Sequence, residues 1–207
     1  MKQLFLILAA ILTSLNVHAG CIEGDCVNGK GKYTWPDGNV YEGDWRDDKR
    51  TGKGKYTWPN GNVYEGDWRD DKRTGKGKKT WAGGNVYEGD WRDDKMTGKG
   101  KGTWASGNVY EGDFIDGNRT GKGKKTYADG SVEDGYWRDN EFVETIAERE
   151  KRLAKEKQEK FDKVYNACLL DKSSNVDMQV SSIEVAVKSS CKSIAEKPSW
   201  LESWKYE

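Results

Sequence analysis

Hydrophobic and polar positions alternate in three different ways along the chain. Residues 4–15 (LFLILAAILTSL) form an unbroken apolar run behind Lys2. From about residue 28 to 140 the alternation has period two and restarts every 23 residues. Tyr41, Gly43 and Trp45 point one way and Glu42, Asp44 and Arg46 the other, which is strand spacing, not helix spacing. Beyond residue 144 the spacing turns helical, with Glu148/Arg152, Glu156/Lys160 and Glu159/Lys163 at i, i+4.

The period-two segment is one motif in several copies. Tyr41-Glu42-Gly43-Asp44-Trp45 returns with Tyr64 and Trp68, with Tyr87 and Trp91, and with Tyr110 and Phe114; a decayed copy runs from Glu133 to Trp137. After a turn through residues 47–51, a second strand sets Gly52, Gly54, Tyr56 and Trp58 against Lys53, Lys55 and Thr57. Residues 59–62 then turn the chain into the next unit, so each unit reads as a β-hairpin. Acids of the first strand face lysines of the second, each such pair contributing about 0.2–1 kcal/mol. Glycines, lacking a Cβ, leave room for a Tyr or Trp ring to lie across the backbone. A fixed period of this length implies a stacked array whose units need neighbours to bury their faces.

These residues resemble the MORN repeat, Y-x-G-x-W followed by G-x-G, an aromatic and a closing glycine, over about residues 26–138. The resemblance implies a mainly β fold, an elongated single antiparallel sheet of tandem hairpins with stacked aromatics along one face. A small α-helical module follows it. The departures (Phe114 for Trp, Glu133 for Tyr, the turn at Asp116-Gly117-Asn118) lie towards the end of the array. The C-terminal module is similar to tails of secreted bacterial MORN proteins.

The run at 4–15 is too short to span a bilayer and suits a signal peptide, with cleavage near Ala19. A lipid anchor on Cys21 is the rival reading. In an oxidising compartment Cys21, Cys26, Cys168 and Cys191 form two disulfides with three possible connectivities, of which the local pairing is favoured. Helices are expected at about 145–170 and 177–197, before an aromatic tail carrying Trp200, Trp204 and Tyr206. The expected organisation is a signal peptide over 1–19 and a disulfide cap over 20–27. The repeat array at 28–140, a charged helix at 141–165 and a helical cap at 166–207 complete it.

Composition narrows the function. Equal numbers of basic and acidic residues, 35 each, exclude a nucleic-acid binder acting through bulk positive charge. The 10 Trp and 10 Tyr take the place of a Leu/Val core, and all but two of the 25 glycines lie within the array. The single His lies ahead of the expected cleavage point, so a mature chain has no imidazole for a triad, a zinc site or proton transfer. The Gly-Lys-Gly segments lack a P-loop's context, and Asp47-Asp48 lacks EF-hand spacing. No catalytic residue, metal or cofactor is therefore expected. The reading is a non-catalytic scaffold of the cell envelope or secreted space, contacting a protein or a second copy of itself. The candidate binding face is Tyr41, Trp45, Tyr64, Trp68, Tyr87, Trp91, Tyr110 and Phe114. The alternative is a module for glycan, peptidoglycan or phospholipid headgroups.

Overall fold

A computed structural model of the chain describes residues 19–173 and 181–196. The apolar run at 4–15, the segment 174–180 and the aromatic tail at 197–207 lie outside the described residues. Two units are distinguished, one ending at Val143 and one beginning at Glu144.

The first is built on a 12-stranded antiparallel sheet in which spatial order equals chain order. Its strands are β1 (Gly20–Gly24), β2 (Lys30–Thr34), β3 (Val40–Arg46), β4 (Lys49–Thr57), β5 (Val63–Arg69) and β6 (Lys72–Thr80). They continue as β7 (Val86–Arg92), β8 (Lys95–Thr103), β9 (Val109–Ile115), β10 (Asn118–Thr126), β11 (Val132–Arg138) and β12 (Glu141–Thr145). Every connection is a hairpin, as the repeat predicts. The turns are tighter than expected: Arg46 pairs with Lys49, leaving only Asp47 and Asp48 between them, both with positive φ. That is the type I′ geometry matching the twist of paired strands, so β4 begins at Lys49 instead of Gly52.

The regular alternation expected of the second strand is also broken. Gly43 pairs with Gly54 but Asp44 with Thr51, so Gly52 and Lys53 bulge out of this pairing. The Asp44 carboxylate accepts the backbone N–H of Lys53 at 2.9 Å, and Gly52 adopts φ 54°. The same clamp recurs from Asp67 to Lys76, Asp90 to Lys99 and Asp113 to Lys122. The aspartate repeated every 23 residues thus serves the fold.

A one-layer sheet needs a cover for its apolar face, and here the cover is made of rings. Tyr41 lies over Gly43 and Gly54, where any added Cβ would collide with its ring or hydroxyl. Its hydroxyl donates to the carbonyl of Asp44 at 3.1 Å, fixing the bulge from the opposite face. Edge-on to it stand Trp45 of its own strand and Trp68 of the next unit, with centroids 5.1 and 5.3 Å away. This T-shaped relay continues through Tyr64, Trp91, Tyr87, Phe114 and Tyr110 to Trp137. Each such pair adds about 0.5–1.5 kcal/mol beyond area burial.

Successive turns are tied together as well. Asn62, Asn85 and Asn108 each accept, through Oδ1, the backbone N–H of an alanine 20 residues on. Asn39 has the same place, but residue 59 is Pro59, which has no N–H. Among the described residues the Asn39 Oδ1 is correspondingly buried without a partner.

The second unit holds α1 (Ile146–Ser173) and α2 (Ser181–Ala195). Thr145 and Glu148 form a reciprocal capping box at the start of α1. Glu144 is paired with both Arg149 and Arg152. Cys168 and Cys191 join the two helices, and Cys21 and Cys26 join β1 to the turn after it, the two local pairs favoured from spacing.

The ring-over-glycine packing makes a clean test. Gly77→Ala, whose Cβ meets the Tyr64 ring, should destabilise the array by about 1–3 kcal/mol. Gly83→Ala, with open space around it, should change stability by less than about 0.5 kcal/mol. Thermal unfolding of both variants checks this, and equal shifts would contradict the packing.

Candidate interaction face

The eight rings expected to form a binding face are the core of the sheet. Tyr41, Trp45, Tyr64, Trp68, Tyr87, Trp91, Tyr110 and Phe114 are between 0 and 8% exposed. The physical reason is the relay itself: each tyrosine rests on glycines and is covered by the Trp or Phe of the next unit, which is in turn covered by it. Trp68 also donates its indole N–H to the carbonyl of Gly54 at 3.1 Å, as Trp91 does to Gly77 and Trp137 to Gly123. Little of these rings is left for a partner.

What the aromatic face shows to solvent is a second register. Trp35, Trp58, Trp81, Trp104 and Tyr127 precede the turns and are half-buried. Between them lie Tyr33, Tyr56, Lys79 and Lys125. Tyr56 packs against Trp58 with centroids 4.5 Å apart, and Lys79 Nζ sits 5.2 Å from Trp58 and 4.8 Å from Trp81. Partial burial, assisted by the Arg73 charge, lowers the pKa of Lys79. The surface is thus a ladder of rings with cations between the rungs.

An arginine network, missed from sequence, separates this ladder from the core. Arg50 stacks over Trp68 at 4.6 Å while its Nε contacts Asp71 Oδ1 at 2.9 Å and its Nη2 donates to the Asp71 carbonyl. Arg73 repeats this over Trp91 with Asp94. Burial opposes ionisation of Asp94, but the Arg73 hydrogen bonds outweigh it and lower its pKa. The signal was present in the chain: where Met96 replaces the arginine, Gly117 replaces its aspartate 21 residues later.

The opposite face is charged. A shallow groove of about 890 Å³ runs along it, floored by glycine backbone such as Gly66 and Gly77. One wall carries Lys53–Asp67, Lys76–Asp90 and Lys99–Asp113 pairs at 2.6–2.7 Å. The other carries Lys55–Glu65 at 2.9 Å and Lys101–Glu111 at 2.6 Å. Four lysines of this lining, Lys53, Lys76, Lys99 and Lys101, are therefore already matched to acids. Among the described residues no cluster of three or more His, Cys, Asp or Glu side chains is arranged to hold a metal. Among them, too, no helix is long and apolar enough to cross a membrane.

A meander of near-identical hairpins sharing one ring relay defines a tandem β-hairpin repeat protein. Residues 28–40, 41–63, 64–86, 87–109 and 110–132 match the MORN-repeat family model, together just over half of the chain, and the chain belongs to that family. No curated protein matches it in sequence. Similar solved structures include the TCP10 domain of Danio rerio CPAP in complex with a peptide of Danio rerio STIL. That match has 18% identity over 53% of this chain and 64% of that one, with a TM-score of 0.23. This chain thus spans just under two thirds of that domain's length. Another is the SAS-4 TCP domain of Drosophila melanogaster in complex with a proline-rich motif of Ana2. There the identity is 14% over 64% of this chain and 84% of that one, with a TM-score of 0.22. Neither score is high enough to bear on what this chain binds.

The buried phenols give the face a pH signature. Burial, reinforced by the Asp113 charge, pushes Tyr110 up to about 12 and likewise raises Tyr41, Tyr64 and Tyr87. Unfolded phenols ionise near pH 10, so this stabilisation is complete below about pH 10 and is lost as pH rises towards the folded values. The urea midpoint should fall steadily between about pH 10 and 12, and Tyr110→Phe should fall less steeply. A flat profile would contradict the assignment.

Proposed function

We propose that this MORN array is a non-catalytic interaction scaffold, of the secreted bacterial type, that works in the cell envelope or outside the cell. The contact face is the half-exposed ladder of Trp35, Trp58, Trp81, Trp104 and Tyr127, not the buried relay. The observation that carries the reading is the ladder's regular placement, one ring per hairpin, roughly 10 Å apart for strands spaced ~4.8 Å. Tyr and Trp are enriched where binding energy concentrates, because they give large contact areas with little conformational entropy to lose. A protein, or a second copy of the chain, is the partner this surface suits. The headgroup and glycan alternative has weaker support, since Lys53, Lys76, Lys99 and Lys101 of the charged groove are occupied by acids.

Export is supported by the apolar run at 4–15 and by the two cysteine pairs at disulfide distance. Intact mass after alkylation of unreduced native protein should show no labelled thiol. Four labelled thiols would place the chain in a reducing compartment.

The face is tested by cross-linking in intact cells, comparing the wild type with Trp58→Ala/Trp81→Ala. Loss of the cross-linked species, at unchanged circular dichroism, is expected, with affinity falling ~30-fold for a hot-spot loss of about 2 kcal/mol. Sedimentation of the purified chain separates self-association from a second protein. Retention of both variant and wild type by vesicles or peptidoglycan alone would overturn the reading.

A further inference from the structure

The hairpins of residues 87–109 and 110–132 depart from the other units at four places that meet in space. Met96 stands where the other units carry Arg50, Arg73 and Arg119, and Gly117 where they carry Asp71, Asp94 and Asn140. Gly102 replaces the side chain supplied elsewhere by Tyr56, Lys79 or Lys125, and Phe114 replaces Trp45, Trp68, Trp91 or Trp137. Each change removes volume from the aromatic face. The result is a pocket of about 340 Å³ walled by Trp81, Tyr87, Met96, Trp104 and Phe114, with Arg119 and Asn140 on its lining.

The sheet around the pocket is undisturbed. β7 and β8 keep the pairing and the bulge of the other units, and β8 and β9 stay in register. The Trp104 ring leans over Gly102, where an added Cβ would come within 2.9 Å of it. The Met96 methyl lies against Gly117, where an added Cβ would be 3.4 Å from it.

Arg119 supplies the second observation. Its guanidinium lies 5.6 Å over Trp104 and 4.8 Å over Trp137, as its counterparts lie over their rings. Its partner, however, is the neutral Asn140, with Nε to Oδ1 at 3.4 Å against 2.9 and 2.8 Å in the charged pairs. Among the described residues no carboxylate forms an ion pair with Arg119. A half-buried guanidinium among rings, without counter-charge, favours an anion beside it.

We propose that this pocket binds a small aromatic carboxylate, its ring between the Trp81, Trp104 and Phe114 walls and its carboxylate on Arg119. The space equals that of roughly ten waters, which suits a ring acid of about a dozen heavy atoms. Inorganic anions would leave the aromatic walls unused, and neutral rings would leave Arg119 uncompensated. The site does not depend on the scaffold reading and stands whether or not the ladder contacts a protein.

Calorimetric titration of the full chain with indole-3-acetate, indole-3-acetamide and acetate tests it. One equivalent of indole-3-acetate should bind, with the amide at least tenfold weaker and acetate showing no saturable binding. Asn140→Asp, which supplies the counter-charge found at Asp71 and Asp94, should weaken the acid at least tenfold and leave the amide unchanged. Met96→Arg/Gly117→Asp restores the pattern of the other units and should abolish binding of both without lowering Tm. Equal affinity for acid and amide, binding retained by the restored double variant, or no saturable binding of the acid would each overturn the proposal.

Discussion

A tyrosine ring lying across the glycines of its own and the neighbouring strand is the contact on which the rest of this sheet depends. Without a Cβ at Gly54 or Gly77, a ring can rest on backbone, and a layer one ring thick closes over the strand. The phenol then reaches the carbonyl of the aspartate that clamps the bulge. Ring, bulge and clamp are therefore one device, and the tryptophan of the following unit completes its cover. This is how a single sheet comes to have a core made from its own layer of rings.

The two faces divide the remaining work. On one, arginines bridge rings and turn aspartates of successive hairpins, so that cation–π contact and ion pairing act on the same side chain. On the other, lysines and acids of adjacent strands neutralise each other at short range. The equal count of acids and bases across the chain has a local origin in such pairs. Exposed pairs of this kind contribute little individually; their larger effect is on register, since a slipped strand sets like charges opposite one another.

Strand identity, hairpin order and the belonging of Tyr41 and Trp45 to one face were legible in the sequence, because side-chain alternation and a 23-residue period are direct consequences of β geometry. Which register of rings would be covered was not. Alternation tells which side Trp45 and Trp58 are on, not that Trp45 is roofed by its neighbours while Trp58 flanks a turn. The bulge escaped for a related reason: Gly52 and Lys53 keep the apparent alternation in sequence while leaving one of the two ladders. The arginine network needed a comparison between copies, where the joint loss at Met96 and Gly117 marks two residues that act together. The pocket beside them is the same comparison carried into three dimensions.

The sequential strand order has a mechanical consequence. In the sheet, the first and last strands lie at opposite edges, so tension applied through them loads the hydrogen-bond ladder from its ends, as a zip is loaded, and not along the strands in shear. Each hairpin lost frees 23 residues, on the order of 80 Å of extended chain, in exchange for roughly 10 Å of sheet. Under such loading the array would lengthen one hairpin at a time and could re-form in the same way.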